Sequence, residues 1–180
     1  MMFRAVCLSV VAAASVSATT LEKLALDDMI TKSTEIVRGR VTSISSLRRG
    51  ALILTQVRVA VTERWKGPEA ASVDVFLHGG TFQGLRQTFS GTPELTQGSE
   101  YVFFLWAGKS GNRQIIGLSQ GVLDIQTTTA KAGGTELTAH RAAISGMVDA
   151  TGQEAADAGM SISLPFLRTR IKQVLGQEKQ

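Results

Sequence analysis

The sequence predicts a mainly β protein: a small antiparallel OB-like barrel, with a β-sandwich as the alternative, flanked by an N-terminal and a C-terminal helix. Three observations carry this. Stretches of alternating apolar and polar residues recur between turn signals through the middle of the chain. Helical spacing occurs only near the two ends. The composition suits a globular core, with 180 residues, 43% hydrophobic and 19% charged. That length excludes a TIM barrel. A single cysteine excludes a disulfide framework and a cysteine-rich zinc module.

The chain opens on an address. Met1 to Arg4 is a short n-region with one positive charge. Ala5 to Val16 is a small-residue apolar run, too short for a membrane span of about 20 residues. Val16-Ser17-Ala18 fits the small-x-small cleavage rule, so 1–18 reads as a signal peptide and Thr19 as the mature N-terminus. The expected location is secreted or periplasmic. Cleavage removes Cys7, leaving no thiol, and removes Arg4. Lys plus Arg then falls from 19 to 18 and net charge from +4 to +3. Arg48-Arg49 is the only adjacent basic pair. Without a concentrated basic stripe, no nucleic-acid partner is expected. No later segment is apolar enough to suggest a transmembrane span.

The elements follow in order. The region 19–34 is expected as a helix: Leu21, Leu24, Leu26, Met29 and Ile30 share a stripe, with Thr20 as its cap, or with Asp27 capping a shorter helix from Asp28 onward. Glu35 to Ser46 reads as a strand in which Ile44 breaks parity, predicting a bulge near Thr42 to Ile44. Gly39 inside it predicts a bend or close approach. Leu52 to Trp65 is the clearest strand, alternating over Ile53, Thr55, Val57, Val59 and Val61. At about 3.3 Å per residue it is long enough to require coiling or bending. Ser72 to Leu77 follows, with Val73, Val75 and Leu77 inward. Tyr101 to Trp106 is apolar on both faces, which predicts cover on both. Arg113 to Leu118 and Gly121 to Thr127 are expected to complete a meander, with a further hairpin at Gly133-Gly134. These strands define a barrel domain at 35–138. The Ala- and Gly-rich stretch 139–162 reads as a flexible linker. The segment 163–176 reads as a terminal helix, capped by Ser163, stopped by Gly176, and apolar at Phe166, Leu167, Ile171, Val174 and Leu175.

No catalytic set emerges. His78 and His140 lie outside any zinc spacing, so no metal and no cofactor is expected. Gly117-Leu118-Ser119-Gln120-Gly121 matches G-x-S-x-G by letters, which makes a small hydrolase the remote reading. A nucleophile elbow, however, needs a strand–turn–helix context, and here two strands are joined. The strongest site candidate is the glycine- and aromatic-rich loop 76–93: Phe76, His78, Gly79, Gly80, Phe82, Leu85 and Phe89. Loops on rigid β scaffolds carry function, and large apolar anchors suit a protein partner. The other reading of these side chains is that they cap an open barrel end.

An ordered series of motifs carries a resemblance. It runs through Ile36-Val37-Arg38-Gly39-Arg40-Val41, Trp65-Lys66-Gly67, His78-Gly79-Gly80-Thr81, Ser90-Gly91-Thr92-Pro93, Gly98-Ser99-Glu100-Tyr101 and Gly117 to Gly121. From about Leu21 to Ile125 the chain resembles a family of exported bacterial proteins. They are similar in outline to the netrin-like and tissue-inhibitor-of-metalloproteinase OB barrels. The resemblance implies an exported protein partner, with a secreted metalloprotease among the candidates. Inhibition of that protease, or association with it, is then an alternative to general binding. Two departures stand against zinc capture as those inhibitors perform it: the mature chain starts at Thr19 and not at a cysteine, and it has no disulfides. His78 also replaces the family's proline before Gly-Gly. The resulting expectation is a non-catalytic exported binding module that grips another exported protein through 76–93.

Overall fold

A computed structural model of the chain describes residues 21–108, 111–129 and 134–177. The expected signal peptide at 1–18 and the expected mature start at Thr19 lie outside the described residues, as do parts of the Gly108–Gly111 and Gly133-Gly134 turns. The fold is mainly β. Strand β1 (Leu21–Glu22) leads into helix α1 (Leu26–Lys32). Two long strands follow, β2 (Glu35–Arg49) and β3 (Leu52–Lys66), then β4 (Ser72–His78) and a small hairpin of β5 (Gly80–Phe82) and β6 (Leu85–Gln87). After β7 (Glu100–Ala107) and β8 (Arg113–Ile115), a 3₁₀ turn at Leu118–Gly121 leads to β9 (Val122–Thr129). The chain ends with β10 (Thr135–Arg141), β11 (Met147–Val148), β12 (Met160–Ser163) and helix α2 (Leu164–Gln177).

Eight strands form one sheet in the order β12-β10-β9-β7-β2-β3-β4-β8. Strand β8 also pairs antiparallel with β7, and it meets β4 in parallel through the single pair Val75 and Arg113. The strands β7, β2, β3, β4 and β8 therefore make a ring, closed unevenly at that one pair. Inside it pack Val37, Val57, Val59, Val75, Phe103 and Leu105, all almost fully buried. On the outer face of β2, β7, β9 and β10, a second core joins Ile36, Val102, Phe104 and Leu123 to Met29, Ile30, Leu167 and Ile171 of the two helices. Alternation explains the division: Tyr101, Phe103 and Leu105 point one way, Val102 and Phe104 the other. The predicted double cover of this strand is what the fold contains.

The bulge is present, as a register shift between Val41 and Ser43. Gly39 is needed for close approach, since a Cβ there would stand 2.4 Å from the Ala60 carbonyl oxygen. Several expectations are corrected. The first helix covers Leu26–Lys32 and not the expected 19–34, because the backbone from Leu21 bonds elsewhere. Leu21 and Glu22 pair with Met147 and Val148. The Glu22 carbonyl and the Leu24 N–H are both taken by the Gln120 side chain, each at 2.8 Å. The strand from Glu35 extends to Arg49; its last third is solvated on both faces, so alternation fades while pairing continues. The meander is also wrong: β9 pairs with β7, not β8, and the 3₁₀ turn carries the chain across.

The stretch 139–162 is not a free linker. Strand β10 runs through its start, Met147 is buried, and β12 closes the sheet edge on β10. Asp157 clasps Arg141 through two hydrogen bonds of 2.6 and 3.0 Å and accepts the Ile144 N–H at 2.8 Å. In α2, Phe166 is 60% exposed and Leu164 takes the expected inward place, while Gly176 lies within the helix. The helix packs on the chain's own sheet. Arg168 bonds Glu63 on β3, and Arg170 pairs with Asp27 on α1. Lys66 Nζ donates to the Ile30 and Thr31 carbonyls, satisfying the end of α1. Among the described residues no helix is long and apolar enough to cross a membrane.

Candidate functional site

Strand β4 ends at His78, and the chain must turn sharply to lay β5 beside the end of β3. Gly79 and Gly80 permit this, with φ of +93° and +130°. They also permit contact. A Cβ on Gly79 would stand 2.8 Å from the Gln87 carbonyl oxygen, and one on Gly80 2.5 Å from Thr55 Oγ1. Side chains then fix the loop. Thr55 donates to the Gly79 carbonyl at 2.8 Å and Thr92 to the His78 carbonyl at 3.2 Å. Gln87 accepts the Ile53 N–H at 2.7 Å and donates to the Ala51 carbonyl at 2.9 Å. The loop is thus built onto the β2–β3 hairpin by specific bonds, as a preorganised binding surface requires.

Between this loop and the segment 92–95 lies a cavity of about 420 Å³. That is within the range of small-ligand clefts and large enough for an inserted side chain. Ile44, Val57, Leu77, Phe89, Pro93 and Leu95 supply apolar lining. Thr55, Thr88, Thr92, His78, Arg86 and Glu94 supply polar groups. The His78 and Phe89 rings stand 5.6 Å apart, tilted by 54°.

The structure brings together His78, Gly79, Gly80 and Phe89 of the expected set. Phe82 and Leu85 flank the tip of the β5–β6 hairpin, outside the cavity lining, with Leu85 57% exposed. Phe76 faces the opposite side of β4, where the Arg49 guanidinium sits 5.3 Å above its ring. It lines a separate small cavity of about 60 Å³ with Gln114 and Leu118. Sequence reasoning missed Ile44, Thr55 and Val57 on the long strands, and Glu94 and Leu95 just past the expected loop 76–93. The broken parity at Ile44 was the signal for that residue; nothing local marked Glu94 and Leu95, which are distant in sequence from β2 and β3.

A third cavity, of about 270 Å³, lies across the segment 93–95 and is lined by Ser119, Asp124, Tyr101 and His140, among others. Among the described residues Ser119 and His140 are not hydrogen-bonded to each other: the His140 ring is bonded through Nδ1 to Gln126 Nε2 at 3.4 Å, and the Ser119 N–H donates to the Gly91 carbonyl at 3.0 Å. Gln126 in turn donates to Asp124 at 2.9 Å. Gly117 to Gly121 forms a 3₁₀ turn between strands, and its Gln120 is a buried anchor for the N-terminal segment. Among the described residues no three His, Cys, Asp or Glu side chains converge as metal ligands. Compared with family models, with curated proteins and with solved structures, the chain matches none.

Proposed function

We propose that the protein is an exported, non-catalytic binding module that recognises another exported protein through the loop 76–93. The observation that carries this is the cavity of about 420 Å³ at the end of the sheet, bounded by a loop that glycine and threonine contacts hold in place. Exposed apolar side chains gather around it: Ile44 and Phe89 in its lining, Leu52 and Leu85 on the strands beside it. Such anchors around a concave, partly polar pocket suit an inserted side chain from a protein partner. The ring of β2, β3, β4, β8 and β7, with β4 and β8 parallel, supports an OB-like outline for the scaffold. Export is proposed from the signal-like residues 1–18.

The test is site-specific photocrosslinking in the producing cell, with a benzophenone side chain in place of Leu85. One dominant crosslinked protein is expected in the exported fraction. It should disappear when Phe89→Ala is added, while the melting temperature stays within a few degrees of the parent. Crosslinking that is diffuse, or unchanged by Phe89→Ala, overturns the reading. If the crosslinked protein is a metalloprotease, its activity with and without the module decides between inhibition and simple association.

A further inference from the structure

We infer that the partner segment is acidic around an apolar anchor. This rests on the binding-module reading above and adds the chemistry of the partner. The basis is where the arginines without a carboxylate lie. Most described arginines are ion-paired inside the fold, from Arg38 with Glu63 and Glu100 to Arg64 and Arg113 on the buried Glu35. Arg48, Arg49 and Arg86 are exposed and have no carboxylate at ion-pairing distance among the described residues. The fourth such residue, Arg40, gives a hydrogen bond of 2.5 Å to the Gly98 carbonyl.

These three belong to one end of the molecule. Arg86 on β6 lines the main cavity. Arg48 and Arg49 end β2, at the hairpin that Gln87, next to Arg86, grips through Ala51 and Ile53. Arg48 Nε donates to the Gly50 carbonyl at 2.9 Å, and Arg49 lies over the Phe76 ring. Beside them stand the exposed Leu52, Leu85 and Phe89. Glu94 is the one carboxylate among the residues lining the cavity. Arg86 in the lining and Arg48 at the hairpin therefore put positive charge beside an apolar pocket, while Arg49, over Phe76, lies on the other face of the same end. The complement of that pocket is an extended segment with Asp or Glu flanking one apolar or aromatic side chain. A bilayer is the less fitting anionic surface. Pressed over this end, it would cover the cavity's threonines and His78 without hydrogen-bonding them.

The experiment pans a random twelve-residue peptide library on the full chain. In parallel, binding is measured to vesicles of phosphatidylglycerol and phosphatidylcholine. Enriched peptides are expected to carry Asp or Glu around an apolar residue. Replacing Arg48 and Arg86 together by Gln should weaken them several-fold, as should raised salt, since each exposed pair is worth up to about 1 kcal/mol. Phe89→Ala, measured separately, should weaken them with the arginines intact. Both arginines are exposed, so the variant should fold; an unchanged circular dichroism spectrum checks it. Peptides that need Phe89 but show no acidic bias, or keep it in the glutamine variant, overturn the inference and leave the binding-module reading standing. If no peptide depends on Phe89, both fail. Vesicle binding that requires the arginines, with no peptide enriched, replaces the inference by a membrane surface.

Discussion

At the scale of residues, the fold depends on a few buried polar groups whose partners are far away in sequence. Gln120 is 1% exposed and spends its amide on Glu22 and Leu24, so one side chain fixes where the N-terminal segment ends. Glu35 is 3% exposed and is satisfied by Arg64 at 3.0 Å and Arg113 at 2.6 Å, which ties β3 and β8 to the start of β2. Asp157 acts in the same way on the C-terminal third. Its hydrogen bonds from Arg141 and from the Ile144 N–H outweigh burial and hold its pKa down to about 2. A carboxylate whose folded pKa is depressed stabilises the fold above its unfolded pKa, and that contribution is lost as pH falls through the folded value. Asp157 should therefore contribute on the order of 2 kcal/mol at neutral pH, fading from about pH 4 to about pH 2. Asp157→Asn should lower stability at neutral pH and flatten that acid limb, as measured by urea unfolding across the pH series. An acid limb unchanged by the substitution would show that the clasp is not formed.

At the scale of elements, the terminal helix shows how tertiary contacts choose among faces that the sequence leaves nearly equivalent. Phe166 and Leu167 are neighbours of similar hydrophobicity. Leu167 is fully buried against the sheet, while Phe166 is 60% exposed. The polar side agrees with this rotation: Arg168 reaches Glu63 on β3, and Arg170 reaches Asp27 on α1. Glu63, held between Arg168 and Arg38, has its pKa lowered mainly by the Arg168 hydrogen bond. Leu167→Ala should cost about 2–5 kcal/mol, as buried leucine truncations do. Phe166→Ala should cost less than about 1 kcal/mol, being a surface change. Equal losses in chemical denaturation would mean that the helix sits in another rotation.

At the scale of the whole molecule, β7 belongs to two cores at once. Phe103 faces the ring interior and Phe104 faces the helices, and both are fully buried. Neither core can open without exposing this strand, so the ring and the helical layer should unfold together. Far-ultraviolet circular dichroism and the fluorescence of Trp65, which packs in the helix-side core, should give coincident urea transitions. Separate midpoints would show that the helical layer unfolds independently. Much of this was legible in the residues themselves. Period-two patterns placed β3 and β4, the doubly apolar run from Tyr101 placed β7 and announced cover on both faces, and Gly39 and Ile44 marked a close approach and a bulge. The glycine pair after His78 likewise pointed to the end of the sheet where the main cavity lies. These features are local, set by pleat, sterics and hydrophobic pattern within a few residues. Only the tertiary structure decided that β9 lies beside β7, that 139–162 is clasped by Asp157, that the first helix starts at Leu26, and that Phe76 and Phe89 look to different sides. Each of those depends on a partner more than ten residues away, and no local pattern encodes which distant carbonyl, guanidinium or strand edge will be there to meet it.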